Sequence, residues 1–249
     1  MPALKFSQVS HEFQSRSGPI HVLQKISFSI QKNEFVCILG PSGCGKSTIL
    51  RLASGLFPAT QGLVELDSMA QNAKSIVFQE PRLLPWLTVL ENTLLPFSLG
   101  PKAKSTSKEE TSAARQHLKT LALDHRESAF PHELSGGMKM RAAIARALVL
   151  KPKLLMMDEP FAALDEGARH KLQAELRDLF LQRKFSVLFV THSVAEAVFL
   201  ADRLIIMTDQ GKIHSELPIP LGERNESLRY HASYLELVQA ASARIRGVQ

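Results

Sequence analysis

The sequence is poor in cysteine and tryptophan, with two of the first and one of the second in 249 residues. Two cysteines make a disulfide framework an unlikely basis for the fold. Cys37 sits in an apolar run and Cys44 in a glycine-rich stretch, so both read as reduced thiols of a cytosolic protein. No run of about 18 apolar residues occurs, so no segment is expected to span a membrane. The opening Met1-Pro2-Ala3-Leu4-Lys5 does not read as a signal peptide. There is no internal repeat and no sustained heptad. The net charge is +6, but lysines and arginines are scattered among acids. No basic stripe interleaved with aromatics is present, so nucleic acid is not an expected partner. Attraction to an anionic membrane surface is the weaker reading of the charge. The length suits one α/β domain with an appended subdomain, or two small domains, and 45% hydrophobic residues suffice for a sizeable core.

What is present centres on Gly40, Pro41, Ser42, Gly43, Cys44, Gly45, Lys46, Ser47 and Thr48, which fit G-x-x-x-x-G-K-[ST]. Glycines let the backbone turn tightly and bring successive N–H groups to a phosphate. A helix starting there adds its positive end. Lys46 supplies a charge to the outer phosphates, and the Ser47 hydroxyl is placed to hold Mg²⁺. The flanks agree. Residues 35–39 are a continuous apolar run, as a strand buried on both faces requires. Ile49, Leu52, Ala53 and Leu56 then fall on one helical face. An accidental glycine turn is the bland alternative, and the strand–loop–helix context argues against it.

Residues 3–30 read as strands with turns. Phe13 is read two ways, as an aromatic that stacks on adenine or as a minor core residue. Short strands are expected at 62–66 and 75–78, the second ending at Gln79. An amide there can reach a metal or a water at the sheet's carboxyl edge, or merely cap a turn. Residues 80–86 form an irregular apolar loop, broken by Pro81 and Pro85, that either packs on its own subdomain or offers a docking surface. Capping boxes at Thr88/Glu91 and Ser107/Glu110 predict two helices separated by a polar stretch at 100–106. Residues from about 86 to 150 therefore read as an inserted helical subdomain.

Ser135 suits an N-cap, and Gly136 and Gly137 leave backbone N–H groups uncovered, so this helix start is either a simple turn exit or a second anion-binding terminus. Residues 154–157 are an apolar strand ending in Asp158 and Glu159. Two carboxylates at a buried strand end suggest a site, with Asp158 on the Mg²⁺ shell and Glu159 orienting or deprotonating water. Asp165 precedes a helix with Leu172, Leu176, Leu179 and Phe180 on one face. His192 ends a further buried strand at 187–190, beside the proposed carboxylates, and Ser193/Glu196 caps the next helix. Asp209-Gln210-Gly211 signals a hairpin. Ser233/Glu236 starts a last helix carrying Leu237, Val238, Ala241 and Ile245.

These motifs, in this order, resemble the ATP-binding subunit of an ABC transporter, from Val9 to about Gly211. The matching parts are the P-loop from Gly40 to Thr48, the Q-loop Gln79, the signature Leu134-Ser135-Gly136-Gly137, and Walker B ending in Asp158 with Glu159. The D-loop Ala163-Leu164-Asp165 and the switch His192 complete the set. By resemblance, Phe13 takes the adenine-stacking position, where the family often has tyrosine. Met138 stands where most members carry glutamine.

The resemblance implies an α/β fold: a P-loop NTPase core with a mixed sheet, an N-terminal antiparallel β subdomain and an inserted α-helical subdomain. It places the ATPase domain at 1–220 and a short extension with one helix at 221–249. It implies ATP and Mg²⁺ as cofactors, and two copies facing head to tail with Ser135 of one closing over ATP on the other. Asp165 belongs to that nucleotide set. The partners implied are transmembrane permease subunits and, indirectly, a periplasmic solute-binding protein, with the subunit at the cytoplasmic face of the inner membrane. Residues 79–92 and 158–165 are similar to the nitrate, sulfonate and taurine importer group. Three rivals stand beside this reading: a non-transport ABC ATPase, a P-loop kinase, and a catalytically weak regulatory subunit.

Overall fold

The computed structural model describes residues 1–16, 18–99 and 106–247. The polar stretch expected at 100–106 lies outside the described residues, apart from Thr106. Two sheets make the frame. The first is antiparallel, ordered β2-β1-β4, from β1 Leu4–Ser15, β2 Gly18–Ile30 and β4 Gln61–Leu66. The second has six strands in the order β5-β6-β7-β3-β8-β9. Its members are β3 Phe35–Leu39, β5 Lys74–Val77, β6 Leu154–Asp158, β7 Ser186–Thr191, β8 Arg203–Met207 and β9 Ile213–Pro218. All pairs are parallel except β8 with β9, which the expected hairpin joins.

Apart from Ser186, Thr191 and Asp158 at strand ends, the central strands β3, β6 and β7 are apolar because both faces are covered. Phe35, Cys37 and Leu39 face one core cluster, while Val36 and Ile38 face the other. Leu155 and Met157 alternate with Leu154 and Met156 in the same way, and Val187 and Phe189 with Leu188 and Val190. Each such side chain, fully buried, contributes about 1.5–3 kcal/mol relative to exposure.

The helices are α1 Lys46–Ser54, α2 Ser68–Asn72, α3 Val89–Ser98, α4 Lys108–Thr120, α5 Gly136–Leu148, α6 Glu166–Arg183, α7 Val194–Leu200 and α8 Ala232–Arg246. Thr88 and Ser107 close full capping boxes on α3 and α4, as their spacing predicts. Two expectations need correction. Helix α1 ends before Leu56, because Gly55 adopts φ 79° and terminates it, leaving Leu56 exposed rather than on the buried face. The last helix begins at Ala232 after His231, so Ser233 lies inside it and is not its cap.

Beyond β9 the chain packs back on α7. The Arg224 guanidinium is almost fully buried and donates to the carbonyls of Val198, Phe199 and Ala201, at the buried carboxyl-terminal end of α7. Arg177 of α6 donates to Leu200 O and to Asp202, whose other oxygen accepts the Phe35 N–H that starts β3. Cations suit a helix C-terminus, where unpaired carbonyls gather negative charge. From α8, the Tyr234 hydroxyl donates to Ala195 O at 3.0 Å.

Candidate active site

Sheet register places the motif residues. Asp158 pairs with Val190, and Leu39 pairs with Thr191, so β6, β7 and β3 end side by side. Gly40, Glu159 and His192 are the residues that leave those three ends. Val77 of β5 pairs with Met157, which brings Gln79 alongside. In parallel sheets this carboxyl edge is where ligands bind.

The glycine loop folds as its motif requires. Gly43 and Gly45 adopt φ of 83° and 100°, which side chains rarely tolerate. Lys46 is buried and donates to Gly40 O at 2.9 Å and Pro41 O at 2.8 Å. Its ammonium thus sits inside the loop, where a phosphate would meet it. Cys44 and Thr48 are buried beneath, while Ser42 and Gly43 are exposed. Burial raises the Cys44 thiol against the lowering pull of Lys46, so it is a packing residue and not a reactive one.

The Ser47 hydroxyl donates to Asp158 Oδ1 at 2.9 Å. Burial pushes the Asp158 carboxyl up, and the Ser47 bond and Lys46 pull it down. Glu159 follows with φ 43°, a left-handed conformation costly for a side-chain-bearing residue. Its N–H is fixed to Val190 O at 2.9 Å. One carboxylate oxygen lies 4.0 Å from Lys46 Nζ and the other 2.9 Å from His192 Nδ1. His192 is 57% exposed, so its ring is open to solvent on its other side.

Sequence reasoning missed the network beneath this pair. Glu196 reads as a capping partner of Ser193, and Ser193 does cap α7. The Glu196 carboxylate, however, turns inward and accepts the Thr191 hydroxyl at 2.7 Å. Thr191 Oγ1 in turn accepts Ser193 N–H at 3.0 Å, so both neighbours of His192 are held. Arg169 of α6 lies 3.7 Å from Glu196 and donates to Leu164 O at 2.7 Å, beside Asp165. Burial raises the Glu196 carboxyl despite Arg169. These groups and Glu159 line a cavity of about 40 Å³, room enough to admit a water.

Six expected residues stand apart from this cluster. Ser135 caps α5 by accepting Met138 N–H at 3.3 Å, and Gly136 and Gly137 pack near Ala163 O and the Leu164 side chain. Among the described residues, no hydrogen bond or ion pair joins 135–137 to the glycine loop. Asp165 caps α6 through Ala168 N–H at 2.9 Å and is exposed. The exposed Gln79 amide has no hydrogen-bond partner among the described residues. Phe13 is half-buried, edge-on to His11 at 4.7 Å and to Phe57 at 5.8 Å between ring centroids. It belongs to a small aromatic cluster and still has an open side.

Comparison with known proteins bears on this arrangement. The family model described as "ABC transporter" matches residues 23–162. An aliphatic sulfonates import ATP-binding protein, SsuB of Bacillus cereus, is 40% identical over 236 residues, covering 91% of each chain. A nitrate import ATP-binding protein, NrtD of Synechococcus elongatus, is 39% identical over 229 residues, 90% of this chain and 83% of the relative. The fold matches the dimeric post-hydrolysis structure of the ATP-binding cassette MJ0796 bound to ADP and Pi. There the TM-score is 0.77 at 31% identity, over 88% of this chain and 100% of the other. The chain belongs to the ABC transporter family and carries its ATP-binding cassette.

Proposed function

We propose that this subunit hydrolyses ATP, as a head-to-tail pair of identical chains, to power import of nitrate, a sulfonate, taurine or a similar small solute. The observation that carries the reading is the convergence of Lys46, Ser47, Asp158, Glu159 and His192 at one sheet edge. Triphosphate oxygens would replace Gly40 O and Pro41 O as partners of Lys46, while the 43 and 45 turns aim N–H groups at them. Glu159 would orient the attacking water and take its proton as the bond from γ-phosphorus to the bridging oxygen breaks. His192 would hold the γ-phosphate and, through its bond to Glu159, the carboxylate's orientation. Phe13 would offer its open face to adenine.

The donors suit Mg²⁺. Ser47 and Asp158 present hard oxygens 2.9 Å apart, and burial of Asp158 without a cation is unfavourable. Gln79 is the third candidate ligand. Among the described residues no group of three or more His, Cys, Asp or Glu could hold a metal alone, so the phosphates would complete the shell. The ion would neutralise charge on the β- and γ-phosphate oxygens.

Ser135, Gly136 and Gly137 form an exposed helix start with no tie to the loop of their own chain. They would close on the ATP of the second copy, with Asp165 near that junction. We further infer the division into an ATPase domain at 1–220, helical at about 86–150, and an extension at 221–249. Permease subunits would take up the loop ending at Trp86 on the cytoplasmic side of the inner membrane, with a periplasmic solute-binding protein beyond them.

Phosphate release from ATP, followed across a dilution series, tests this. Turnover without an added acceptor is expected, and the rate per chain should fall on dilution. A rate per chain independent of concentration would overturn the shared site. Turnover only with an acceptor would favour a kinase.

A further inference from the structure

We propose that Arg146 is a positioning residue that joins helix α5 and the loop at 79–86 into one rigid unit. The proposal rests on the reading that ATP draws Ser135 toward a second copy. Ser135 caps α5 at one end, and Arg146 lies near the other, about 16 Å along the axis. The Arg146 guanidinium donates to Arg82 O and to Pro81 O, both at 2.8 Å. Those carbonyls belong to an irregular segment in which Pro81 and Pro85 offer no N–H and fix their own φ. Burial lowers Arg146, and among the described residues no carboxylate pairs with it. Its side-chain hydrogen bonds there go to the loop backbone.

The rest of the loop is clamped from the same side. Asn92 of α3 is fully buried, accepts Leu84 N–H at 2.8 Å, and donates to the carbonyls of Leu84, Leu87 and Thr88 at 2.9–3.1 Å. Leu83 packs on the core cluster that holds Met140, Ile144 and Ala147 of α5. The Arg82 side chain lies 4.2 Å from the Phe78 ring. Among the described residues of the loop, Gln79, Glu80, Leu83, Pro85 and Trp86 take part in no side-chain hydrogen bond, and of these Gln79-Glu80 is the link between the clamped carbonyls and β5. A displacement of α5 at Ser135 therefore turns the loop about that link and carries Trp86, which is 69% exposed, with it. Nη1 and Nη2 serve one carbonyl each, a planar fork on two separate nitrogens that lysine's single-nitrogen head does not reproduce in geometry.

Trp86 is the single tryptophan, so its emission reports this loop alone. The full chain is titrated with Mg-ATP in three forms: wild type, R146A and R146K. Nucleotide binding is followed separately with a fluorescently labelled ATP analogue excited away from tryptophan. Wild type is expected to change its Trp86 emission as nucleotide saturates. R146A and R146K are expected to bind the analogue with wild-type affinity while the emission change is lost. A merely structural role would lower the melting temperature of R146A but leave the emission change intact in the folded molecules, and that result overturns the proposal. R146K keeps charge and helix, and it decides the matter where R146A does not fold. A wild-type emission that ignores saturating nucleotide also overturns it. Absence of analogue binding in wild type would instead strike at the ATP-binding reading.

Discussion

Glu159 and His192 meet across two neighbouring strand ends, carboxylate to imidazole Nδ1 at 2.9 Å, although 33 residues separate them in the chain. The same carboxylate reaches back to within 4.0 Å of Lys46. One acid therefore lies between the ammonium and the imidazole nearest the expected phosphates, and its N–H is held by the Val190 carbonyl.

Removing its charge isolates the chemical step. E159Q keeps the shape and an acceptor for His192 but cannot take a proton. ATP binding should be unchanged, hydrolysis should fall by about 10²–10⁴-fold, and an ATP-bound dimer should accumulate in size-exclusion chromatography. Hydrolysis within a few-fold of wild type would remove Glu159 from its role.

Asp158 separates stability from activity. Burial disfavours its charged form, so its folded pKa lies above the unfolded value, and the carboxylate opposes folding at neutral pH. D158N lifts that opposition, and Ser47 can still donate to the amide oxygen. The variant should melt at a higher temperature than wild type while Mg²⁺-dependent ATP hydrolysis is lost. A lower melting temperature would show that the Ser47 hydrogen bond and the nearby Lys46 charge outweigh the cost of burial.

Gly45 tolerates no side chain. A Cβ there would lie 2.6 Å from Leu23 Cδ2 and 3.0 Å from Val22 O, at φ 100°. The strained backbone alone costs about 1–3 kcal/mol, so G45A should lower urea-unfolding stability by at least that and weaken labelled-ATP binding. Wild-type stability in G45A would mean that β2 yields freely.

His117 gives the fold an acid limit. It is buried on α4, and Arg183 donates to its Nε2 at 3.2 Å. Burial first, then the charges of Arg183 and Lys151, lower its pKa from 6.5 to about 4. Between those values the unfolded chain takes up a proton that the folded chain refuses. This contribution is constant above the unfolded value and turns against folding as pH falls toward the folded one, by on the order of 3 kcal/mol. H117N cannot titrate there. Urea unfolding at about pH 7 and about pH 4.5 should show a smaller acid loss in H117N than in wild type.

Much of this site is legible in the sequence because its parts are local. The strand at 35–39, its glycine loop and its helix are one continuous signal, and Asp158, Glu159 and His192 each end an apolar run. Their mutual contacts are set by strand order, β6-β7-β3, which no local pattern contains. Glu196 looks like an ordinary cap because Ser193/Glu196 has the spacing of one, yet its carboxylate turns toward Thr191 and Arg169. Leu56 has the right helical spacing, but Gly55 ends the helix first. Arg146, Arg177 and Arg224 look like surface charge, and only the fold shows them on backbone carbonyls. The contact of Ser135 with nucleotide, as proposed, requires a second chain.

Arg224 reaches three carbonyls at the end of the very helix whose beginning follows His192. Burial brings its pKa down to about 10, still protonated at neutral pH. A chain shortened to end at Leu221 would lose this plug and expose the tail of α7 to water. The segment past β9 thus holds a vote on how firmly the helix after His192 is seated, and an engineer trimming this subunit should cut no earlier than the helix that follows.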